Sequence, residues 1–229
     1  MPMVAVVGSA PSSRLLAPYS DNDWKIWACS PANQGKLPRI DAWFELHPID
    51  QIKREWATEK QFFDWVNRES FDVWMQEEND IVPRAKKFPQ QKILGQFARC
   101  AFGSSVSWMT ALALQTFEND DLTIGFWGVD MSSKEEYVCQ RQGFHFLCDY
   151  AERNGVKLRA PMESDLFTTP VLYGYSANKH MPTKLRVRAD ELRGRIEACR
   201  MEEMRAHDER VFLQGSLDDL EYFQRVWAG

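Results

Sequence analysis

Glu45 and His47 stand two residues apart in "FELHP", and on an extended segment that spacing puts both side chains on one face. A carboxylate beside an imidazole is the pairing of an orienting group with a general base; it is equally the pairing of a surface ion pair beside a turn. A second concentration of polar groups follows "LTIGFWG": Asp130, then Glu136, Tyr137, Gln140, Arg141 and His145. On a helix starting near Lys134, Tyr137, Gln140 and Arg141 fall three and four apart on one face, with Glu136 adjoining through Gln140. Such a face is either the rim of a binding site or a solvated loop leading into a helix. His145 and His47 are the two candidate proton acceptors.

Three further stretches bear on ligand chemistry. "GSAPSS" combines Gly8, where backbone can approach a ligand closely, with Ser9, Ala10, Pro11 and Ser12, whose hydroxyls suit phosphate. It is neither G-x-G-x-x-G nor a Walker sequence, so neither a dinucleotide nor a P-loop reading follows. "GSS" places Ser104 and Ser105 at a helix start, an end that favours anions and that also needs an ordinary N-cap. Asp21-Asn22-Asp23 has the D-x-D form used to hold a metal and a diphosphate, but it precedes a strand and reads as a turn. His180 and His207 fall in the tail or its approach, no two of the four histidines have metal-ligand spacing, and G-x-S-x-G is absent. Zinc chemistry and serine hydrolysis are therefore not expected.

The elements that position these groups alternate. "MVAVVG", "WKIWACS", "IDAWFELHP", "LTIGFWG" and "VKLRAP" read as strands, with "FDVWMQ" a short additional one. Residues 50–68, "SSVSWMTALALQTF" and residues 138–153 carry apolar groups at helical spacing, with Asp50 a plausible N-cap and Asn154-Gly155 a stop. Residues 79–103, with Pro83 and Pro89, resist assignment. The alternation predicts an α/β fold, a mostly parallel Rossmann-like sheet with helices on both faces, over residues 1–182. In such a sheet ligands bind outside the carboxyl ends of the strands. Those ends gather the Gly8 turn, Ser30, the Glu45–His47 pair, Ser104, Ser105, Gly128 and Asp130.

From about Thr183 the character changes. "KLRVRADELRGRIEACRMEEMRAHDERVFLQ" holds eight basic and seven acidic residues, and Arg186–Asp190 and Glu191–Arg195 are spaced to pair on a helix. Gly215-Ser216 reads as a break and Ser216 with Asp219 as a capping box, so residues 183–229 are expected to form a helical hairpin. Packing on the core or a homo-oligomer contact is its expected role.

Bulk properties bound the rest. A chain of 229 residues supports one sizeable core plus an appended element, and 44% hydrophobic with 27% charged residues is a globular composition. A net charge of -5 gives no indication of nucleic acid or an anionic membrane as partner. No run approaches the roughly 18–20 apolar residues of a membrane span, and "MPMVAVVGSA" does not read as a signal peptide. Five scattered cysteines without C-x-x-C fit a reducing, cytoplasmic setting.

Taken together, "VVGSAPSS", "WKIWACS", "IDAWFELHP", "FGSSVSWMTALAL" and "LTIGFWGVDM" resemble a sialyltransferase-like superfamily that includes 6-hydroxymethylpterin diphosphokinase-like proteins. The resemblance covers roughly residues 3–166 and matches at Gly8, Pro11, Ser12, Ser104, Ser105, Gly128 and Asp130. "EEYVCQR" looks like a variant in small phage-encoded members. Where the family carries asparagines in the first turn and after strand two, this chain has Ser9 or Ala10 and Ser30.

The resemblance implies a nucleotide pocket, often for the cytidine monophosphate part of an activated sugar, and transfer without an obligatory metal. It implies a histidine base, for which His145 or His47 stands, and a tyrosine steadying the departing phosphate, for which Tyr137 stands. The expectation is a glycosyltransferase-like enzyme with a nucleotide-sugar donor. Alternatives are a Mg-ATP-dependent diphosphokinase of a pterin-like alcohol and a non-catalytic nucleotide-binding or assembly protein.

Overall fold

The computed structural model describes residues 1–55, 59–97, 99–118, 121–132, 137–167 and 181–227. They belong to two units, Met1–Asn178 and Lys179–Gly229.

The first unit is built on seven strands: β1 Met3–Val7, β2 Trp24–Cys29, β3 Ala42–Glu45, β4 Asp72–Met75, β5 Ala85–Lys87, β6 Thr123–Trp127 and β7 Lys157–Arg159. Their order is β5-β4-β3-β2-β1-β6-β7, and every pairing is parallel. Parallel strands need crossovers that cover both faces, so central strands are apolar on both sides and read as unbroken hydrophobic runs. β1 shows this directly. Val4 and Val6 join one core, while Ala5 and Val7 join the other.

The first core lies under α4 (Ser105–Thr116) and α5 (Gln142–Arg153), the second under α1 (Ile49–Glu55) and α2 (Glu59–Arg68). Short α3 (Gln90–Leu94) completes the set. The second core is strongly aromatic. Trp43 is fully buried and meets Trp65 edge-on at 4.8 Å, with Phe62 and Phe71 close by. Each such ring contributes about 1.5–3 kcal/mol by burial. This is the expected α/β architecture, with helices on both faces of a parallel sheet.

Local differences have physical causes. Asp50 lies inside α1 rather than capping it, because Ile49 already starts the helix. β5 escaped sequence reading because it has only three residues and ends in two lysines, as a managed edge strand does. Its charges are answered across the edge, Lys86 by Asp72 at 2.8 Å and Lys87 by Glu77 at 2.6 Å.

The expected C-terminal hairpin is not formed. Met181–Trp227 is one α-helix, α6, of 47 residues. A glycine inside a helix costs only about 1 kcal/mol, and the apolar spacing of Leu213, Leu217 and Leu220 runs in phase through Gly215. Ser216 does not cap a second helix; its hydroxyl donates back to the Phe212 carbonyl at 3.0 Å. Glu191 pairs with Arg195 at 3.6 Å as spaced, whereas Asp190 takes Arg193 rather than Arg186.

Candidate functional site

Chain direction along the sheet reverses between β1 and β6, since β2 to β5 extend from one side of β1 and β6 lies on the other. In a parallel sheet the strand ends at such a reversal of strand order are where ligands bind.

Here the two exits are locked together. Gly8 N donates to Trp127 O and Ala10 N to Gly128 O, both at 2.8 Å. A Cβ on Gly8 would lie 2.4 Å from Gly128 O, and a Cβ on Gly128 would lie 2.4 Å from Gly8 O. Both glycines thus serve the close approach of two backbones, and Gly128 also has φ +63. Ser13 Oγ accepts from Gly128 N at 2.9 Å, and Ser12 Oγ donates to Asp130 Oδ1 at 2.8 Å. Ser12, Ser13 and Asp130 are buried. Ser9 and Pro11 are exposed and Ala10 partly so, which leaves them as the part of the turn facing outward.

At the end of β2, Ser30 adopts φ 80, a left-handed backbone unusual outside glycine. After β6, Met131 does the same with φ 47. Among the described residues these are the non-glycine cases, and both fall at carboxyl ends of strands. Left-handed strain of this kind gathers at ligand sites.

The turn Pro31–Asn33 then folds Asn33 back into the molecule. Fully buried, Asn33 donates through Nδ2 to Gly8 O at 2.9 Å and to Cys29 O at 2.8 Å. Its Oδ1 finds no hydrogen-bond partner among the described residues. Asn33 was missed in the sequence. Its only signal is an asparagine two places after Pro31, at a strand exit.

β3 delivers the clearest chemical pair. Glu45 is 2% exposed, and its Oε1 lies 2.5 Å from His47 Nδ1 and accepts from His47 N at 3.1 Å. The imidazole side chain is 47% exposed. A buried carboxylate thus holds one ring nitrogen of a half-exposed imidazole. Glu45 also acts on its neighbour: burial first, and then the Glu45 charge, push the Cys29 thiol up to about 12. At the usual ladder spacing of about 4.8 Å, the end of β3 stands roughly 10 Å from that of β1. Beside the pair, Leu46, Gln76, Phe88, Gln90 and Trp108 line a small recess of about 40 Å³.

α4 begins on the same edge. Ser104 is its N-cap, with Oγ accepting from Ser107 N at 3.3 Å, and Ser105 is half-buried. Gly103 is required by contact, since a Cβ there would lie 2.7 Å from Cys139 O. That carbonyl belongs to a π-helical turn, Tyr137–Arg141, which precedes α5. Single π turns recur at functional sites, and this one is held against the start of α4.

Not all the predicted rim residues point there. Arg141 donates to Asp165 O at 2.8 Å and Leu166 O at 3.1 Å, and His145 Nε2 meets Leu166 O at 3.0 Å. Both side chains therefore tie the π turn and α5 to the segment after β7. Ser164 continues the tie, donating to Val129 O at 2.7 Å. Gln140 is half-buried in the π turn. Glu136, the side chain of Tyr137, and His180 lie outside the described residues.

A larger cleft of about 500 Å³ opens at the opposite, amino-terminal edge, around Trp24, Lys25, Arg39, Trp74 and Phe117. There Arg39 pairs with Asp41 and donates to the Tyr19 and Asp21 carbonyls, and Lys25 lies over the Phe117 ring. Asp21 accepts from Asp23 N at 2.9 Å in a local turn beside this cleft, which places the D-x-D sequence away from the carboxyl edge. Among the described residues no group of three His, Cys, Asp or Glu is arranged to hold a metal ion, and no helix is long and apolar enough to cross a membrane.

The fold and site thus define a doubly wound parallel α/β protein in which the β1 and β6 exits are hydrogen-bonded to each other and a buried glutamate at the end of β3 holds a histidine. Compared with known proteins, the chain matches no family model, no curated protein and no solved structure.

Proposed function

We propose that the protein is a glycosyltransferase-like enzyme that takes a nucleotide-activated sugar, with a cytidine-type donor favoured and no metal required. The observation that carries the reading is the Glu45–His47 pair: a 2%-exposed carboxylate gripping a half-exposed imidazole at a strand's carboxyl end. In glycosyl transfer the acceptor oxygen attacks the anomeric carbon, the bond to the donor phosphate breaks, and the acceptor loses a proton. His47 is placed to take that proton, with Glu45 stabilising the imidazolium that results. Negative charge gathering on the leaving phosphate suits the amino-terminal end of α4 at Ser104 and Ser105. Asp130, held by Ser12, is an acceptor and suits a sugar hydroxyl or a base amine rather than phosphate.

The donor class rests on the resemblance carried by "VVGSAPSS" and "LTIGFWGVDM". His145 is the second candidate base, and its Nε2 meets the Leu166 carbonyl at 3.0 Å.

Thermal-shift measurements with CMP-, UDP- and GDP-linked sugars, paired with nucleotide release, test the reading. A donor raises the melting temperature with or without EDTA, and His47→Ala lowers transfer by about 100-fold or more while donor binding is kept. Absence of a shift with every donor sinks the proposal, and turnover of ATP that EDTA abolishes points instead to diphosphoryl transfer.

A further inference from the structure

The second unit carries a surface that the first unit's chemistry does not use. α6 would be about 70 Å long at 1.5 Å per residue. Stepping by four and three from Leu185 meets Ala189, Leu192, Ile196, Cys199 and Ala206, then Leu213, Leu217, Leu220 and Trp227, interrupted by Glu203, Arg210 and Gln224. This is a heptad repeat sustained over six heptads, the signature of a coiled-coil seam. Leu185, Leu192, Ile196, Leu213, Leu217, Leu220 and Trp227 are all exposed. A repeat of 3.5 drifts about 20° per heptad on a straight helix, so the seam is continuous only when α6 supercoils around another helix. Gly194 and Gly215 both fall at the heptad position farthest from that seam, and a Cβ on either would meet nothing within 4 Å.

Charge says which helix fits. Residues 181–200 carry six basic and three acidic residues, and residues 201–227 carry three basic and seven acidic. The two halves of α6 are therefore complementary to each other, end for end. In a parallel pair of copies, Glu203 would face Glu203 and Arg210 would face Arg210 across the seam, two like-charge layers. Running the copies in opposite directions removes both. Leu192 then meets the partner's Leu217, Ile196 the partner's Leu213, and Ala189 the partner's Leu220. The charged seam residues fall against small ones, Glu203 on the partner's Ala206 and Arg210 on the partner's Cys199. Arg186 flanks the partner's Glu221.

We infer that two copies of this chain associate through α6 as an antiparallel coiled coil, centred between Met204 and Arg205. The full-length chain then has twice the monomer mass of 26.7 kDa by light scattering at micromolar concentration. Leu217→Asp weakens the dimer by at least about 100-fold, since it puts an unpaired carboxylate into two apolar layers of the seam, one from each copy. Direction is read by cysteine mapping in a Cys139→Ser background. Mild oxidation of Arg210→Cys links position 210 of one copy to Cys199 of the other, identified by peptide mass, while the parent with Arg210 intact does not link through Cys199. A monomer overturns the inference, as does a Cys199–Cys199 link in the parent, or a dimer unaffected by Leu217→Asp. Association only with some other protein overturns it equally.

Discussion

Gly128→Ala probes the close backbone contact between the β1 and β6 exits. Gly128 has φ +63, and an added Cβ would stand 2.4 Å from Gly8 O and 2.8 Å from Arg14 Cβ. Left-handed backbone costs a non-glycine residue about 1–2 kcal/mol. Forcing volume into a packed site adds about 1–3 kcal/mol, so the substitution costs about 2–5 kcal/mol against a total on the order of 5–15 kcal/mol. Gly155→Ala separates the two contributions, because Gly155 has φ +80 and a Cβ there meets nothing within 4 Å. Urea unfolding followed by tryptophan fluorescence is the assay. Eight of the nine tryptophans lie within Met1–Asn178, so the signal reports that unit. With a urea slope of roughly 2 kcal/mol per molar, Gly155→Ala lowers the midpoint by about 0.5–1 M and Gly128→Ala by about 1–2.5 M. Equal midpoints for the two variants would refute the backbone contact between Gly8 and Gly128.

Two further outcomes follow from the buried thiols. Cys139 and Cys199 are exposed, whereas Cys29 and Cys148 are buried with their thiols pushed up, Cys29 to about 12. Iodoacetamide near pH 8 therefore labels Cys139 in the native chain and leaves Cys29 and Cys148 until denaturant is added; prompt native labelling of Cys29 would remove it from beside Glu45. The same shifts set the alkaline limit. Unfolded thiols lose protons from about 9.0 and unfolded Tyr19 from about 10.0, while folded Cys29 and Tyr19, both raised chiefly by burial, hold theirs to about 12. The unfolded state binds fewer protons across that window, so stability is full below about pH 9 and falls toward pH 12. A urea midpoint that climbs over that range contradicts the burial of these groups.

Much of the fold was legible in local pattern. Strands such as "VAVV" and "TIGFW" announced themselves because central parallel strands are apolar on both faces, and helices α4 and α5 because their apolar spacing has the helical period. The Glu45–His47 pairing was legible from its spacing of two, although His47 lies past the end of β3 and its backbone N–H folds back onto Glu45. β5 was not, because three residues ending in lysines carry no periodic signal.

What the sequence determined by itself was therefore short-range: element types, the parallel α/β class, and the edge of the sheet where polar residues accumulate. The tertiary structure decided everything that depends on contacts distant in the chain. It placed β1 beside β6, so that Gly8 and Gly128 serve each other's backbones and Ser12 and Ser13 brace the loop at Asp130. It folded Asn33 under the first turn and turned His145 and Arg141 onto the carbonyls of Asp165 and Leu166. It also carried α6 unbroken through Gly215-Ser216. The physical reason is common to all of these. A glycine, a serine or a histidine has several nearly equal local uses, and only the neighbour that folding brings to it selects one.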